Sequence, residues 1–189
     1  MTRRFRATAA TRNPVQPVIA LGAFALVVLH LGWELMHGGV VAHHFLARSD
    51  MPSISNWWGL ILVPTLAWFV AGRVLHRESG DEPSDRLIPA AIRRAMPAFF
   101  GALVYGGLLA GSFAFGFGVE GYLFLGLFAL GLILPIYRGE YILGFVLGMM
   151  VTFGGILPTI VAAVAAAFSW LAHLLFRVAM RLFRGSRQG

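Results

Sequence analysis

Of 189 residues, 58% are apolar and 12% are charged, and mean hydropathy is +0.77. A soluble domain carries about 25% charged residues, so a soluble enzyme, a disordered chain and a nucleic-acid module are excluded; an all-α polytopic membrane bundle is expected. No cysteine or lysine occurs, which removes thiolate, disulfide, iron–sulfur, Schiff-base and P-loop chemistry, and the net charge of +7 is carried by 15 arginines.

Residues 1–14 read as a basic cytoplasmic segment. The first apolar run covers 15–37. It is longer than the 7–15 residues of a removable signal's apolar core, so it is expected to stay as a signal anchor, although Thr2-Arg3-Arg4-Phe5 and the small residues Val40 and Ala42 offer a competing cleavable reading. A His-rich outer loop, 38–56, follows, then a second span, 57–74, opened by Trp57 and Trp58 as interfacial anchors. The polar inner loop, 75–94, ends in Leu87–Arg94, which reads as a short interfacial helix. A third span, 95–117, would hold Pro97 in its first turn, and a fourth covers 121–137. Between Glu140 and Leu175 there is no acid or arginine, too long a stretch for one crossing. Gly154, Gly155 and Pro158 divide it into spans 140–156 and 159–176, and a basic tail, 177–189, completes the chain.

Six spans with a cytoplasmic N-terminus place fourteen of the fifteen arginines inside, leaving Arg48 outside. Five spans would strand the tail arginines on the wrong face, so both termini are expected to be cytoplasmic, in a membrane of the bacterial inner-membrane kind. The glycine pairs Gly107/Gly111 and Gly144/Gly148 have the spacing of close helix packing, within the chain or between copies in a homo-oligomer. Arg138 and Glu140 are expected either to pair at the inner interface or to reach water separately.

One segment breaks the apolar pattern. His30, Glu34 and His37 recur at i, i+4 and i+7, within about a 60° arc of one helix face. His30 lies about 20 Å into a ~30 Å hydrocarbon core, counted from Pro17. Ionisable groups at that depth are costly and mark sites by default. If the helix ran on through Gly38-Gly39, His44 would join the same face and His43 would not. Imidazole and carboxylate at this spacing can share one metal ion. The candidate ligands are therefore His30, His37, His43, His44 and Asp50. Glu34 and Glu120, the latter in the outer loop after span three, are the candidate general bases beside a metal-bound water. Zinc suits such mixed ligands best; iron or copper, with Met36 and Met51 nearby, is the other choice. The function expected on this reading is a metal-dependent enzyme at the outer membrane face, a hydrolase acting on a lipid or lipid-linked substrate, with oxygen chemistry at iron or copper as a variant.

Structural roles compete at each position. Glu34 and His37 can lock the first span to a neighbour, Gly38-Gly39 can simply end the helix, and Ser55 or Asn56 can cap span two. Asp50 or Ser53 can cap a short helix near Pro52, and His43 and His44 can be ordinary loop residues. On that account the chain is a non-catalytic subunit or assembly factor of a membrane complex. A metal-ion or proton transporter is a third reading, weakened by the scarcity of polar residues in the later spans: Thr65, Ser112, Thr152 and Thr159 are the main ones.

Overall fold

The computed structural model describes residues 15–44, 53–78 and 84–185, with backbone alone for 43–44, 53, 78, 84–89 and 185. The chain is an all-α membrane bundle. Helix α1 spans Val15–Met36, α2 Gly59–Glu78, α3 Ser84–Phe115, α4 Glu120–Ile133, α5 Gly139–Phe153 and α6 Ile156–Gly185. Among the described residues, α1, α2, α3 and α6 are long and apolar enough to cross a membrane. Their surfaces carry large apolar side chains such as Leu21, Leu29, Ile61, Phe69, Leu108 and Leu175, as a bundle immersed in hydrocarbon requires.

The bundle is built around α5. This helix packs most extensively on α3, and also on α6 and α2; α1 packs on α2, and α4 on α6 and α3. Glycine makes the α3–α5 approach this close. A β-carbon on Gly144 would run into the Phe99 carbonyl, and one on Gly148 into that of Leu103; one on Gly106 would lie 2.5 Å from the Phe145 carbonyl oxygen. The glycines therefore pack backbone against backbone within one chain, whereas Gly101 and Gly111 have open space beside them. Side-chain hydroxyls bind the outer helices. Tyr105 donates to the Leu123 carbonyl of α4 at 2.6 Å, and Ser169 of α6 donates to the Leu134 carbonyl at 3.2 Å.

Several boundaries differ from those read in the sequence. The fourth span ends at Ile133, because Leu134 is extended (φ −101°, ψ 143°) ahead of Pro135, the conformation that a following proline imposes. With 14 and 15 residues, α4 and α5 measure only about 21–23 Å at 1.5 Å per residue. The third span begins earlier, at Ser84, so the Leu87–Arg94 segment is continuous with it and Pro97 lies inside the helix instead of in its first turn. The sixth runs on through Arg177, Arg181 and Arg184 to Gly185. The turn at Gly154-Gly155 is where the glycines placed it, with Gly154 at φ 68° and its N–H bonded to the Met150 carbonyl at 2.8 Å.

At the arginine-rich end, Glu140 is 4% exposed in the first turn of α5. Arg77 of α2 donates to it at 3.0 Å. The acid thus pairs across the bundle, and its sequence neighbour Arg138 is exposed at the start of α5. Removing one partner of a buried pair costs about 3–5 kcal/mol. Arg77 is 39% exposed, and the α5 N-terminus itself favours an acid. The expected loss for Arg77→Ala is therefore nearer 1–2 kcal/mol. Chemical unfolding in detergent checks this, and Arg77→Ala/Glu140→Gln should recover most of the loss.

Candidate functional site

The C-terminal end of α1 and the N-terminal end of α2 meet the α5–α6 turn at the end of the bundle away from Arg77 and Glu140, called the outer end after the orientation expected from the sequence. Helix α1 stops at Met36, and Gly38 and Gly39 follow at φ 122° and 105°. Only glycine adopts such angles without strain. The N–H groups of His37 and Gly39 both bond the Glu34 carbonyl at 3.0 Å. The chain then turns back as an antiparallel ribbon, β1 (Ala42–His44) and β2 (Ser53–Ser55), pairing Ala42 with Ser55, His43 with Ile54 and His44 with Ser53. A single 3₁₀ turn, Asn56–Trp58, leads into α2, and the Ser55 hydroxyl caps it by accepting from the Trp57 N–H at 3.4 Å. Trp57 and Trp58 are exposed beside it, as an interfacial belt requires.

Glu34 sits at the centre of this junction, 5% exposed. Its Oε1 accepts from Asn56 Nδ2 at 2.6 Å, a short charge-assisted bond. Its Oε2 accepts from the Val41 N–H at 3.3 Å. The Asn56 N–H in turn bonds the Val41 carbonyl at 3.1 Å. Asn56 is itself buried, and its Oδ1 lies so close to Gly154 that a β-carbon there would overlap it. One carboxylate therefore ties α1, both ends of the outer loop and, through Asn56, the α5–α6 turn.

His30 joins this junction and His37 does not. His30 Nε2 is 3.3 Å from Glu34 Oε1, within ion-pair reach. It is buried and makes no aligned hydrogen bond, so proximity and not a directed bond defines that contact. His37 follows the last helical residue, and its ring folds back. Nδ1 bonds the Trp33 carbonyl at 2.8 Å, and the ring stacks on the Trp33 indole at 4.5 Å, exposed. Because the helix ends at Met36, His44 lies on the ribbon and not on the His30–Glu34 face. The side chains of His43 and His44, and all of Asp50, lie outside the described residues.

Glu120 opens α4, where a helix N-terminus favours an acid. Its Oε2 is buried without a hydrogen bond. Helix α4 packs chiefly on α6 and α3, so Glu120 belongs to a different part of the bundle from Glu34. Among the described residues no three His, Cys, Asp or Glu gather as a metal would require; His30 and Glu34 supply two donors. Of the scarce hydroxyls in the spans, Ser112 donates to the Leu109 carbonyl and Thr159 to that of Gly155, each within or at the edge of its own helix. Asn56 is the member of the site whose role the sequence did not reveal beyond a cap. The usable signal was an intramembrane acid in need of a donor and an asparagine at the membrane edge.

Comparison with protein families, with curated proteins and with solved structures finds no match to this chain.

Proposed function

We propose that the chain is a non-catalytic subunit or assembly factor of a larger membrane complex, with both termini cytoplasmic and the outer loop offered to a partner protein. One observation carries this reading: Glu34 is 5% exposed and both its carboxylate oxygens are bonded within the outer loop, one to Asn56 and one to Val41. Lone pairs remain on both oxygens, but a general base must also come within hydrogen-bond reach of a substrate proton, and the burial of Glu34 under its own loop opposes that. Glu34 instead acts as a fastener, and what it fastens is a ribbon held at fixed register over the bundle end. A pre-ordered loop loses less entropy on docking than a mobile one. Placement in a bacterial inner membrane is part of this proposal; the arginine asymmetry supports only the orientation of the termini.

A metal-dependent enzyme is the second reading, favoured by one feature: His30 Nε2 is buried beside Glu34 without a directed partner. A catalytic zinc takes three protein ligands. Among the described residues His30 and Glu34 supply two of these, and the side chains of His43, His44 and Asp50 lie outside the described residues.

One experiment separates the two. A photo-crosslinking residue placed at the exposed Ala42 is activated in the native membrane, and the chain is then extracted in polymer discs for elemental analysis. A single protein partner crosslinked in stoichiometric yield, without bound metal, is the expected result. A chain that extracts alone with a stoichiometric zinc, iron or copper ion, lost in folded His30→Ala, would overturn the proposal in favour of the enzyme.

A further inference from the structure

Helix α6 is longer than a membrane requires. Its 30 residues, Ile156–Gly185, measure about 45 Å at 1.5 Å per residue, against a hydrocarbon core of about 30 Å. The excess lies at the arginine-rich end, because the other end is fixed. A β-carbon on Gly155, just before α6, would lie 3.2 Å from the Gly59 α-carbon at the start of α2. Towards the arginine-rich end, His173 packs edge-on against Tyr137 with ring centroids 5.6 Å apart, and Tyr137 stands just before α5, whose Glu140 holds Arg77. His173 is about 26 Å from Ile156 along the helix axis. The hydrocarbon core therefore ends within about a turn of it, and the rest of α6 enters a headgroup layer about 5–8 Å deep.

Three arginines occupy that stretch. Arg177, Arg181 and Arg184 recur at i, i+4 and i+7 and fall within about a 60° arc of one face. Val178 and Leu182 are turned about 100–140° away from Arg177, so this end of α6 is amphipathic. All three arginines are exposed. Arg177 Nε donates to the His173 carbonyl of its own helix at 3.2 Å. Among the described residues Arg177 makes no other bond, and Arg181 and Arg184 make none. Arg138, at the start of the neighbouring α5, is exposed as well. No acid follows Glu140 in the sequence, and α6 packs on α5 and α4, not extensively on α2 or α3, whose connection carries the acids of the polar loop. Orientation in a membrane needs arginines near the end of a span, in any arrangement. Here they share one face of an unbroken helix at headgroup depth, and arginines clustered on an amphipathic helix beside a span attract anionic lipids.

We propose that the Arg177–Arg181–Arg184 face of α6 is a docking surface for the headgroups of anionic phospholipids in the arginine-side leaflet. Arg177 and Arg181 meet the phosphates, and Arg184 meets the outer edge of the headgroup layer. The acyl chains of a lipid held there run down the same face past Trp170, which is about two turns and 10 Å deeper than Arg177 and 50% exposed. This surface lies at the opposite end of the bundle from Glu34 and Asn56.

Trp170 supplies the readout. The full chain is reconstituted in dioleoyl phosphatidylcholine vesicles that contain dibrominated phosphatidylglycerol or, in parallel, dibrominated phosphatidylcholine at the same mole fraction. Quenching of Trp170 is the difference between each protein and its Trp170→Phe counterpart. The ratio between the two lipids within one protein cancels any change in the exposure of Trp170. Phosphatidylglycerol is expected to be about fivefold enriched beside Trp170, the share of one arginine near an anionic surface. Arg177→Gln/Arg181→Gln/Arg184→Gln should abolish the enrichment, and the corresponding triple lysine variant should keep most of it. Equal quenching by the two lipids overturns the proposal and leaves the stripe to an acidic protein surface. So does an enrichment that survives the glutamine substitutions, or one lost equally with lysine, which would trace it to something other than charge.

Discussion

Glu34→Ala is expected to destabilise the chain by about 2 kcal/mol and to loosen the outer loop selectively. The substitution strips the acceptor from two donors, Asn56 Nδ2 and the Val41 N–H. A buried donor left unpaired costs about 1–3 kcal/mol in water-soluble proteins. Side-chain hydrogen bonds within membrane proteins average about 0.6 kcal/mol and reach about 1.7 kcal/mol. Relief of the carboxylate's own desolvation acts in the opposite direction. The 2.6 Å charge-assisted bond to Asn56 belongs at the upper end of the membrane range, and the 3.3 Å bond to Val41 near its average, which gives the figure stated. Glu34→Gln keeps an acceptor for Asn56 and should lose less than half as much. Asn56→Ala should cost nearly as much as Glu34→Ala, and the double variant little more than Glu34→Ala, because the stronger of the two Glu34 bonds is the one it shares with Asn56. Unfolding in mixed micelles reads the energies. Amide exchange reads the location: protection should fall at residues 41–44 and remain along α5. Uniform loss across the bundle, or full additivity, would show that Glu34 does not act as the loop's fastener.

The same residue shows where the sequence was readable and where it was not. An acid near the far end of an apolar run is visible without coordinates, and so is its partnership with His30 one turn away, because both lie on one continuous helix. The partnership with Asn56 was hidden, since it joins residues 22 apart across a ribbon whose register no hydropathy pattern sets. His37 was misplaced for a local reason. The 100° step applies only inside a helix, and α1 ends one residue before it, where the ring finds the Trp33 carbonyl instead.

The spans followed the same division. Runs of apolar residues located all six helices, because backbone groups in hydrocarbon must be paired internally. Hydropathy could not mark helix ends within apolar sequence. Leu134–Tyr137 is as apolar as the helix before it, and only Pro135 betrays the break. At the other end of the scale, Arg177, Arg181 and Arg184 stop the hydropathy run without stopping the helix, because they recur at i, i+4 and i+7 and Arg177 bonds back to the His173 carbonyl at 3.2 Å. The glycine pairs showed that helices approach closely but not which ones. Backbone overlap in the fold assigns Gly144 and Gly148 to α3 of the same chain.

That assignment carries the other large expected effect. Gly144→Ala and Gly148→Ala should each destabilise the bundle by about 2–3 kcal/mol, and together they should prevent recovery of a monodisperse protein. The added methyl at 144 would overlap the Phe99 carbonyl and lie 3.1 Å from the Leu103 nitrogen. The one at 148 would overlap the Leu103 carbonyl and lie 2.8 Å from the Gly107 nitrogen. Every one of these neighbours is backbone, so no rotamer change relieves the contact and α3 must move away from α5. Overpacking of that kind costs about 1–3 kcal/mol even where side chains can adjust. Alanine's better helix propensity returns at most about 1 kcal/mol per site. Gly101→Ala and Gly111→Ala supply the controls, since nothing lies near their would-be methyls; they should be neutral or stabilising by up to that propensity gain. Unfolding midpoints in detergent, read beside the elution profile of each variant, distinguish the two pairs. If all four substitutions behaved alike, the α3–α5 seam would not be the contact on which the bundle depends. If Gly101→Ala or Gly111→Ala alone were disruptive, the close glycine packing would lie between chains instead of within one.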